Sequence, residues 1–221
     1  GQKITVASLS SALGVSAMPV REALRRLAAE RALEMRPKRS VRVPRLTRAE
    51  VVRLRELREL VEGHATTLAA QNITQREVGE LSQIQVAMAA ARDRQDGKAI
   101  LRLNEEFHFS IYNRCGMQIL IDLIAMLWLH SAPTMTIMFR PPHLSHYPTE
   151  LQNRTNIALI KALRRGDGAA AADALRNEIR VGTRVLDEAM QSIDWDSQVE
   201  ADRAPLPDMI DVGRLTGKSV A

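Results

Sequence analysis

The sequence predicts a mainly α-helical protein with one small β-hairpin close to its amino terminus. Aromatic residues make up only 3% of the 221 residues, and the apolar residues are mostly Ala, Leu, Ile, Val and Met. That mixture favours helices, because strands prefer β-branched and aromatic side chains. Helix-capping residues and glycines also divide most of the chain into segments of helical length. We therefore expect two short helices and the hairpin first, followed by an all-α antiparallel bundle.

Residues 1–46 are predicted to begin with two helices joined by a tight turn. The first covers 5–13 and ends at Gly14, since glycine readily adopts the left-handed conformation that terminates helices. Ser16 is a suitable amino-terminal cap for the second helix, which covers 18–31 and has its apolar residues on one face. The two helices are therefore short and close together.

A short hairpin is expected to follow the second helix. Residues 32–35 and 41–43 have strand character, and the segment Pro37-Lys38-Arg39-Ser40 between them is suited to a turn. Helix, tight turn, helix and hairpin, in that order, are typical of a winged helix-turn-helix domain.

The second domain is predicted to be a helical bundle over residues 47–193. Thr47 and Glu50 form a capping box that opens a long helix ending near Asn72. Short connections and the absence of a strand pattern indicate an antiparallel arrangement. The further helices are expected at 74–94, 97–114, 117–139, 148–165 and 167–193. Residues 194–221 are rich in Pro and Asp, and we interpret them as a carboxy-terminal tail.

The positive charge is concentrated at the amino terminus. Residues 1–46 hold ten Lys and Arg residues and three Glu, a net charge of +7, whereas the whole chain carries +5. Local basicity of this kind is typical of a module that binds a polyanion, and with the helix-turn-helix order it indicates double-stranded DNA. The alternative is that these are ordinary solvated charges, which would leave their clustering in one small unit unexplained.

Candidate DNA contacts follow from this arrangement. The second helix is expected to enter the major groove, while the hairpin lies along the backbone or in the minor groove. On the helices the candidates are Ser11, Ser16, Arg21 and Arg25, and on the hairpin they are Arg36, Lys38, Arg39 and Arg42.

Two segments of the second helix and its preceding turn carry a family resemblance. Leu13-Gly14-Val15-Ser16 and Pro19-Val20-Arg21-Glu22-Ala23-Leu24 resemble the recognition segment of the GntR family of transcription regulators, most closely the FadR subfamily. The resemblance implies a ligand-responsive regulator, usually a repressor, that binds a DNA operator with two-fold-related half-sites as a homodimer. Ala17 stands where the family usually has Arg, and Ser40 stands where its wing tip usually has Gly. A helix that normally precedes Gly1 is expected to be disordered or cut away.

The same resemblance implies that residues 47–193 form an FCD effector-binding domain. The segments that match it are Arg58-x-x-x-Glu62, Asn104 to His108 and Asn156 to Asp167. Many such domains bind a divalent metal through one Asp and three His at the floor of a ligand cavity. The corresponding positions here hold Asn104, His108, Asn156 and Glu178, so only His108 of the four family ligands is kept.

This ligand set leaves three interpretations open. Two amides are poor donors to transition metals, so tight zinc binding is not expected, although His108, Glu178 and Asn104 could hold a harder ion together with waters. In a metal-free pocket, the four side chains would instead bind a small organic effector directly. His108 could also be an ordinary interior histidine. Arg58 and Arg140 are candidates to meet an acidic effector.

Other classes of protein are not indicated. The sequence has no G-x-S-x-G, H-E-x-x-H or phosphate-binding loop, and Cys115 has no evident histidine partner, so we predict no catalytic residues and no enzyme. The single cysteine fits the reducing cytoplasm. The longest apolar run, Ile119 to Leu129, is interrupted by Asp122 and is shorter than the roughly 18 residues that span a bilayer, so no membrane partner is expected. An alternative is that the helical domain binds no effector and serves only dimerisation.

Overall fold

The computed structural model describes residues 3–36, 40–138 and 149–191, together with 195, 197 and 199. The chain divides into two compact units with a boundary between Arg45 and Leu46. The first contains the amino-terminal helices and strands, and the second spans Leu46–Trp195.

The amino-terminal unit combines two helices with a three-stranded antiparallel sheet. Its elements are β1 (Lys3–Thr5), α1 (Val6–Leu13), α2 (Ala17–Ala29), β2 (Glu34–Arg36) and β3 (Ser40–Arg42). The predicted helices and hairpin are confirmed. The strand β1 was not predicted, and it pairs with β3 at the edge of the hairpin, so that the strand order is β1-β3-β2.

Local capping explains the ends of the two helices. The Thr5 side chain accepts a hydrogen bond from the backbone N–H of Ser8, and the Ser8 side chain bonds back to Thr5, which forms a reciprocal capping box. Gly14 ends α1 in the left-handed conformation with φ of 66°, which glycine adopts without strain. The unit has a small hydrophobic core made of Val20, Leu24 and Val41, against which Val6, Leu9 and Leu33 pack.

The second unit is a bundle of helices in the described part of Leu46–Trp195. They are α3 (Arg48–Asn72), α4 (Gln75–Asp93), α5 (Gly97–Tyr112), α6 (Gln118–Met138), α7 (Thr149–Arg164) and α8 (Gly168–Gln191). These six helices confirm the predicted ones, with ends that differ by no more than two residues. Thr47 and Thr74 begin α3 and α4 with capping boxes, as the sequence pattern indicates.

The helices α3 and α8 approach each other very closely, and this contact is the most extensive one in the bundle. A Cβ atom on Gly168 would lie only 2.8 Å from the backbone oxygen of Thr67, so only glycine fits at this position. At the other end of the pair, Arg48 donates to both carboxylate oxygens of Asp187, at 2.7 and 3.2 Å. The relative position of α3 and α8 is therefore fixed at both ends.

The start of α3 is also tied to the end of the unit. The buried indole of Trp195 donates a hydrogen bond from Nε1 to the backbone oxygen of Leu46 at 2.8 Å. Trp195 lies in the segment that we interpreted as a tail, and at this residue the chain packs against the bundle.

The helix α6 is the most apolar of the bundle. Its segment Gln118–Met135 has a mean hydropathy of 1.2, and 33% of that segment is buried. Its length and composition are sufficient for a membrane-spanning helix, and among the described residues no other helix has both. One helix of this kind is weak evidence of a membrane span, because the core helix of a bundle can have the same length and composition.

Candidate DNA-binding and effector sites

The helix α2 separates its apolar and basic side chains onto different faces. Val20 and Leu24 are buried in the core of the amino-terminal unit, whereas Arg21 and Arg25 are exposed. Ser16 caps α2 through its backbone conformation and makes no side-chain capping bond. Its exposed hydroxyl, like that of Ser11 on α1, is therefore directed to solvent. The four predicted contacts on the helices are all on the surface, where a phosphate or a base edge can reach them.

The predicted contacts on the hairpin are less fully described. The strand pairing places Arg42 of β3 opposite Glu34 of β2 and opposite Lys3 of β1. Arg42 is half-buried. Lys38 and Arg39, together with the side chain of Arg36, lie outside the described residues.

A small, partly open cavity lies within the helical bundle. Side chains from α3, α5, α6, α7 and α8 line it. Its polar lining consists of Arg55, Arg58, Asn104, His108, Ser131, Thr134, Gln152, Glu178 and Thr183. Its apolar lining consists of Val51, Leu54, Met135, Ile179 and Leu186. An apolar wall with a few convergent polar groups is typical of a small-molecule site.

A continuous chain of buried polar side chains begins at the wall of this cavity. Arg58 donates to both carboxylate oxygens of Glu62, at 2.5 and 3.3 Å, and its guanidinium lies 5.0 Å from the ring centroid of Trp128. The hydroxyl of Tyr112 donates to Glu62 at 2.5 Å and lies 3.3 Å from Nδ1 of His108. The other ring nitrogen of His108, Nε2, is 3.1 Å from Oε1 of Glu178.

The chain of hydrogen bonds continues from Glu178 across α7 to α4. Gln152 approaches Oε1 of Glu178 at 3.5 Å and accepts a bond from Arg92 at 2.6 Å. Arg92 also donates to Asn153 at 2.9 Å. Asn153 in turn accepts from Gln85, whose oxygen accepts a bond from the side chain of Asn156 at 2.6 Å. Five helices are therefore connected through buried polar contacts, an arrangement that fixes the shape of the cavity.

Family models match both units of the chain. Residues 1–43 match the model described as bacterial regulatory proteins, gntR family, and residues 53–181 match the FCD domain. The chain belongs to the GntR family and carries an FCD domain. It is a ligand-responsive, DNA-binding transcription regulator of the FadR type, as the sequence resemblance implied. The regulators of this family are not enzymes.

Individual GntR-family proteins resemble the chain over most of its length. The transcriptional regulator McbR of Escherichia coli is 28% identical over 163 residues, 73% of this chain and 74% of McbR. The transcriptional repressor RspR of the same organism is 25% identical over 199 residues, 90% of this chain and 86% of RspR. The solved structure of E. coli McbR/YncC superimposes with a TM-score of 0.81, at 26% identity, and covers 86% of this chain and 88% of that structure.

The FCD domain places most of the predicted effector residues at one site. Asn104, His108, Glu178 and Arg58 all line the cavity. Asn156 is fully buried but does not belong to the described lining, because its amide bonds to Gln85 on the far side of the network. The role of these residues in binding an effector stays a prediction, and Arg140 lies outside the described residues.

Several polar residues of this site were not predicted from the sequence. Glu62, Tyr112, Gln152 and Arg92 are all buried and complete the network. Glu62 was named only as part of the family segment Arg58-x-x-x-Glu62, although its position four residues after Arg58 also allows an ion pair on one helical face. Spacing alone does not reveal that this pair is buried, with side-chain exposures of 13% for Arg58 and 0% for Glu62.

The donor set of the FCD cavity does not fit the metal that the fold family implies. His108 and Glu178 bond directly to each other, and Asn156 bonds to Gln85. The described residues contain no group of three or more His, Cys, Asp or Glu side chains that could surround an ion. Asn104 adds only an amide, which is a poor ligand for a transition metal. The described residues of the cavity therefore support no metal-dependent function.

Electrostatics in the FCD cavity depend on burial and on two carboxylates. Burial by itself raises the pKa of Glu178, but His108, Gln152 and Arg58 outweigh it, so the pKa lies below its ordinary value of 4.5. Burial and the neighbouring Glu62 raise the pKa of Tyr112 well above its ordinary range. Burial lowers the pKa of Arg58, but the neighbouring Glu62 raises it by more, so the pKa lies above its ordinary value. Glu178 and Arg58 are therefore charged and Tyr112 is neutral near pH 7.

Acidification is expected to destabilise the FCD domain through Glu178. Because its pKa is lower in the folded state, the unfolded chain takes up the proton first as the pH falls. The stabilisation is complete above pH 4.5 and is lost as the pH falls through the lower, folded pKa. Thermal unfolding of the full chain at several pH values between 6 and 3 (about the range of carboxylate titration) measures this. We expect Glu178→Gln to show a smaller loss of Tm over that range than wild type, and equal losses would contradict the assignment.

Proposed function

We propose that this GntR-family regulator is a repressor that leaves its operator when a small ligand occupies the FCD cavity. The DNA-binding part of this proposal rests on the amphipathic helix α2, which buries Val20 and Leu24 and leaves Arg21 and Arg25 exposed. The repressor assignment is supported by the similarity to RspR, which is named a transcriptional repressor. As a regulator of transcription it acts in the cytoplasm, and it carries out no chemical reaction.

The position of the cavity supports control by a ligand. The cavity lies between α3 and α8, which contribute Val51 and Leu186 to its lining. Val51 is one turn from the start of α3. Near this end of the helix, Trp195 donates a hydrogen bond to Leu46, and Arg48 donates one to Asp187. A ligand that changes the spacing of α3 and α8 acts on the segment that leads to the DNA-binding unit. A coupling of about 1–3 kcal/mol is sufficient for such control.

The regulator is further proposed to act as a homodimer through α6. Ile119, Leu123 and Met126 follow one another at helical spacing on the same face, and all three are exposed, Ile119 to 76%. On α3, which packs against α6, Leu57 and Leu60 are exposed as well. A second copy covers this surface, and the resulting two-fold symmetry matches a DNA site with two related half-sites.

Binding to DNA is expected to weaken steeply with salt. Basic side chains that contact phosphates displace counterions, so six to ten contacts per dimer lower the affinity by about 10³- to 10⁵-fold between 50 and 200 mM salt. Fluorescence anisotropy with labelled DNA from upstream of its own gene, and with unrelated DNA as control, measures this dependence. Binding that does not respond to salt, or no preference for the upstream DNA, contradicts a sequence-specific regulator.

A charge on the α6 surface is expected to separate the dimer. Leu123→Asp places a carboxylate in an apolar interface and weakens association by at least about 2 kcal/mol, or roughly 30-fold in dimer Kd. Sedimentation equilibrium of wild type and variant gives both dissociation constants. Val86→Asp is the matched control, because Val86 is an exposed apolar residue on α4 and lies outside the proposed interface. If Leu123→Asp stays dimeric at the wild-type Kd, α6 is not the interface.

Two other functions remain as alternatives to ligand control. In the first, the FCD domain serves only dimerisation, and ligands that occupy the cavity leave DNA affinity unchanged. In the second, the domain is a metal-dependent enzyme, a function for which the donor set of the cavity offers no support. Anisotropy measurements with and without a cavity ligand distinguish the first alternative from the proposed repressor.

A further inference from the structure

Among the described residues, the hydroxyl groups that line the FCD cavity present only hydrogen-bond acceptors to a ligand. Three hydroxyl groups line this cavity, and each donates its hydrogen to a backbone oxygen of its own helix. Ser131 donates to Leu127 at 2.8 Å, and Thr134 donates to Ser131 at 2.7 Å. Thr183 donates to Ile179 at 2.9 Å. Because a hydroxyl has one hydrogen to donate, only lone pairs remain on these three oxygens.

The strongest acceptor of the cavity is the carboxylate of Glu178. The residue is only 8% exposed, and its Oε1 is the atom that faces His108 and Gln152. The second oxygen, Oε2, is buried without a hydrogen-bond partner. A buried carboxylate oxygen without a donor is unfavourable, so a ligand that supplies an N–H or O–H group gains the full value of that bond.

The two arginines in the described part of the cavity wall are each ion-paired with a carboxylate. Arg58 donates to both oxygens of Glu62 and lies over Trp128. Arg55 is ion-paired with Glu59 at 3.3 Å, although its Nε makes no hydrogen bond. A carboxylic ligand would have to compete with these carboxylates for the same guanidinium groups. Asn104 and Gln152 also line the cavity, and each carries an amide that can both donate and accept.

We propose that the effector is a hydrogen-bond donor, a polyol or an amine, and not a simple carboxylic acid. This inference rests on the proposed role of the cavity in effector binding. A donor group reaches Glu178, while further hydroxyl or ammonium groups donate to Ser131, Thr134 and Thr183. A ligand without donors displaces water from these acceptors and offers nothing in exchange, which lowers its affinity.

Three probes with the same four-carbon chain test the proposal on the full-length protein. They are butane-1,4-diol, butane-1,4-diammonium and succinate, and their Kd values are measured by calorimetric or NMR titration. We expect the diol or the diammonium ion to bind at least about tenfold more tightly than succinate. Whichever of the diol and the diammonium ion has the lower Kd shows whether the ligand donates through hydroxyl or through ammonium groups. Succinate binding as tightly as both, or no binding of any probe, overturns the proposal.

Substitution of Glu178 tests the residue assignment. Glu178→Gln replaces a pure acceptor by an amide that also donates, so the preference for the donor probe should fall by about tenfold. Glu105→Gln is the matched control, since Glu105 is an exposed carboxylate on α5. An unchanged preference in Glu178→Gln overturns the role of this carboxylate. If that variant does not fold, the comparison of probes on the wild-type chain still decides the proposal.

The proposed function is tested separately from the nature of the ligand. If succinate binds best and releases the chain from DNA, the inference fails while the repressor function stands. If the chain shows no salt-sensitive, specific DNA binding, the proposed function fails whatever the probes show.

Discussion

Arg21→Ala is expected to lower the affinity for operator DNA by about 5- to 150-fold. The guanidinium of Arg21 is exposed on α2, beside the buried Val20, one turn after the start of the helix. Side chains at this position of a helix in the major groove reach base edges, and a bidentate Arg–guanine contact contributes about 1–3 kcal/mol. Stability should not change, because the side chain makes no part of the core.

The measurement for Arg21 is anisotropy with upstream and unrelated DNA at several salt concentrations. A base contact predicts a loss of specificity, whereas a phosphate contact predicts a uniform loss and a salt slope smaller by about 1. Arg76→Ala is the control, since Arg76 is an exposed, ion-paired cation on α4 in the other unit. A stable Arg21→Ala variant that binds operator DNA like wild type shows that α2 does not read the DNA.

The sequence was sufficient to predict the helices, because their ends depend on local residues. The capping boxes at Thr47 and Thr74 use side chains three residues away, and Gly14 ends α1 through its own backbone freedom. The strand β1 was missed for the opposite reason. It has three residues, Lys3–Thr5, and it exists because it pairs with β3, which lies more than thirty positions later in the sequence.

The same difference applies to the effector site. His108 and Glu178 were predicted because family motifs mark their positions, although no motif states that the two side chains bond to each other. Gln152 and Arg92 are sixty residues apart, and each is an ordinary polar residue of an amphipathic helix in the sequence. Their burial follows only from how α4, α7 and α8 pack together. The role of a residue that has no local sequence signal can therefore be recognised only in the tertiary structure.

The second large effect is expected at the buried ion pair of the helical bundle. Glu62→Ala should destabilise the protein by about 3–5 kcal/mol, because it leaves the guanidinium of Arg58 buried without its partner. Tyr112 would lose the acceptor of its buried hydroxyl at the same time. With about 2–4 °C per kcal/mol for a chain of this size, thermal unfolding should show a Tm lower by roughly 6–20 °C. The exposed pair of Arg102 and Glu106 provides the control.

Comparison of two further variants separates charge from packing. Glu106→Ala should change stability by less than about 1 kcal/mol, since exposed ion pairs contribute little. A triple variant, Arg58→Met, Glu62→Leu and Tyr112→Phe, removes all three polar groups together and should recover most of the stability that Glu62→Ala loses. Equal effects of Glu62→Ala and Glu106→Ala would contradict the burial of the pair. If the triple variant is as stable as wild type, the buried Arg58–Glu62 pair adds nothing to the free energy of unfolding.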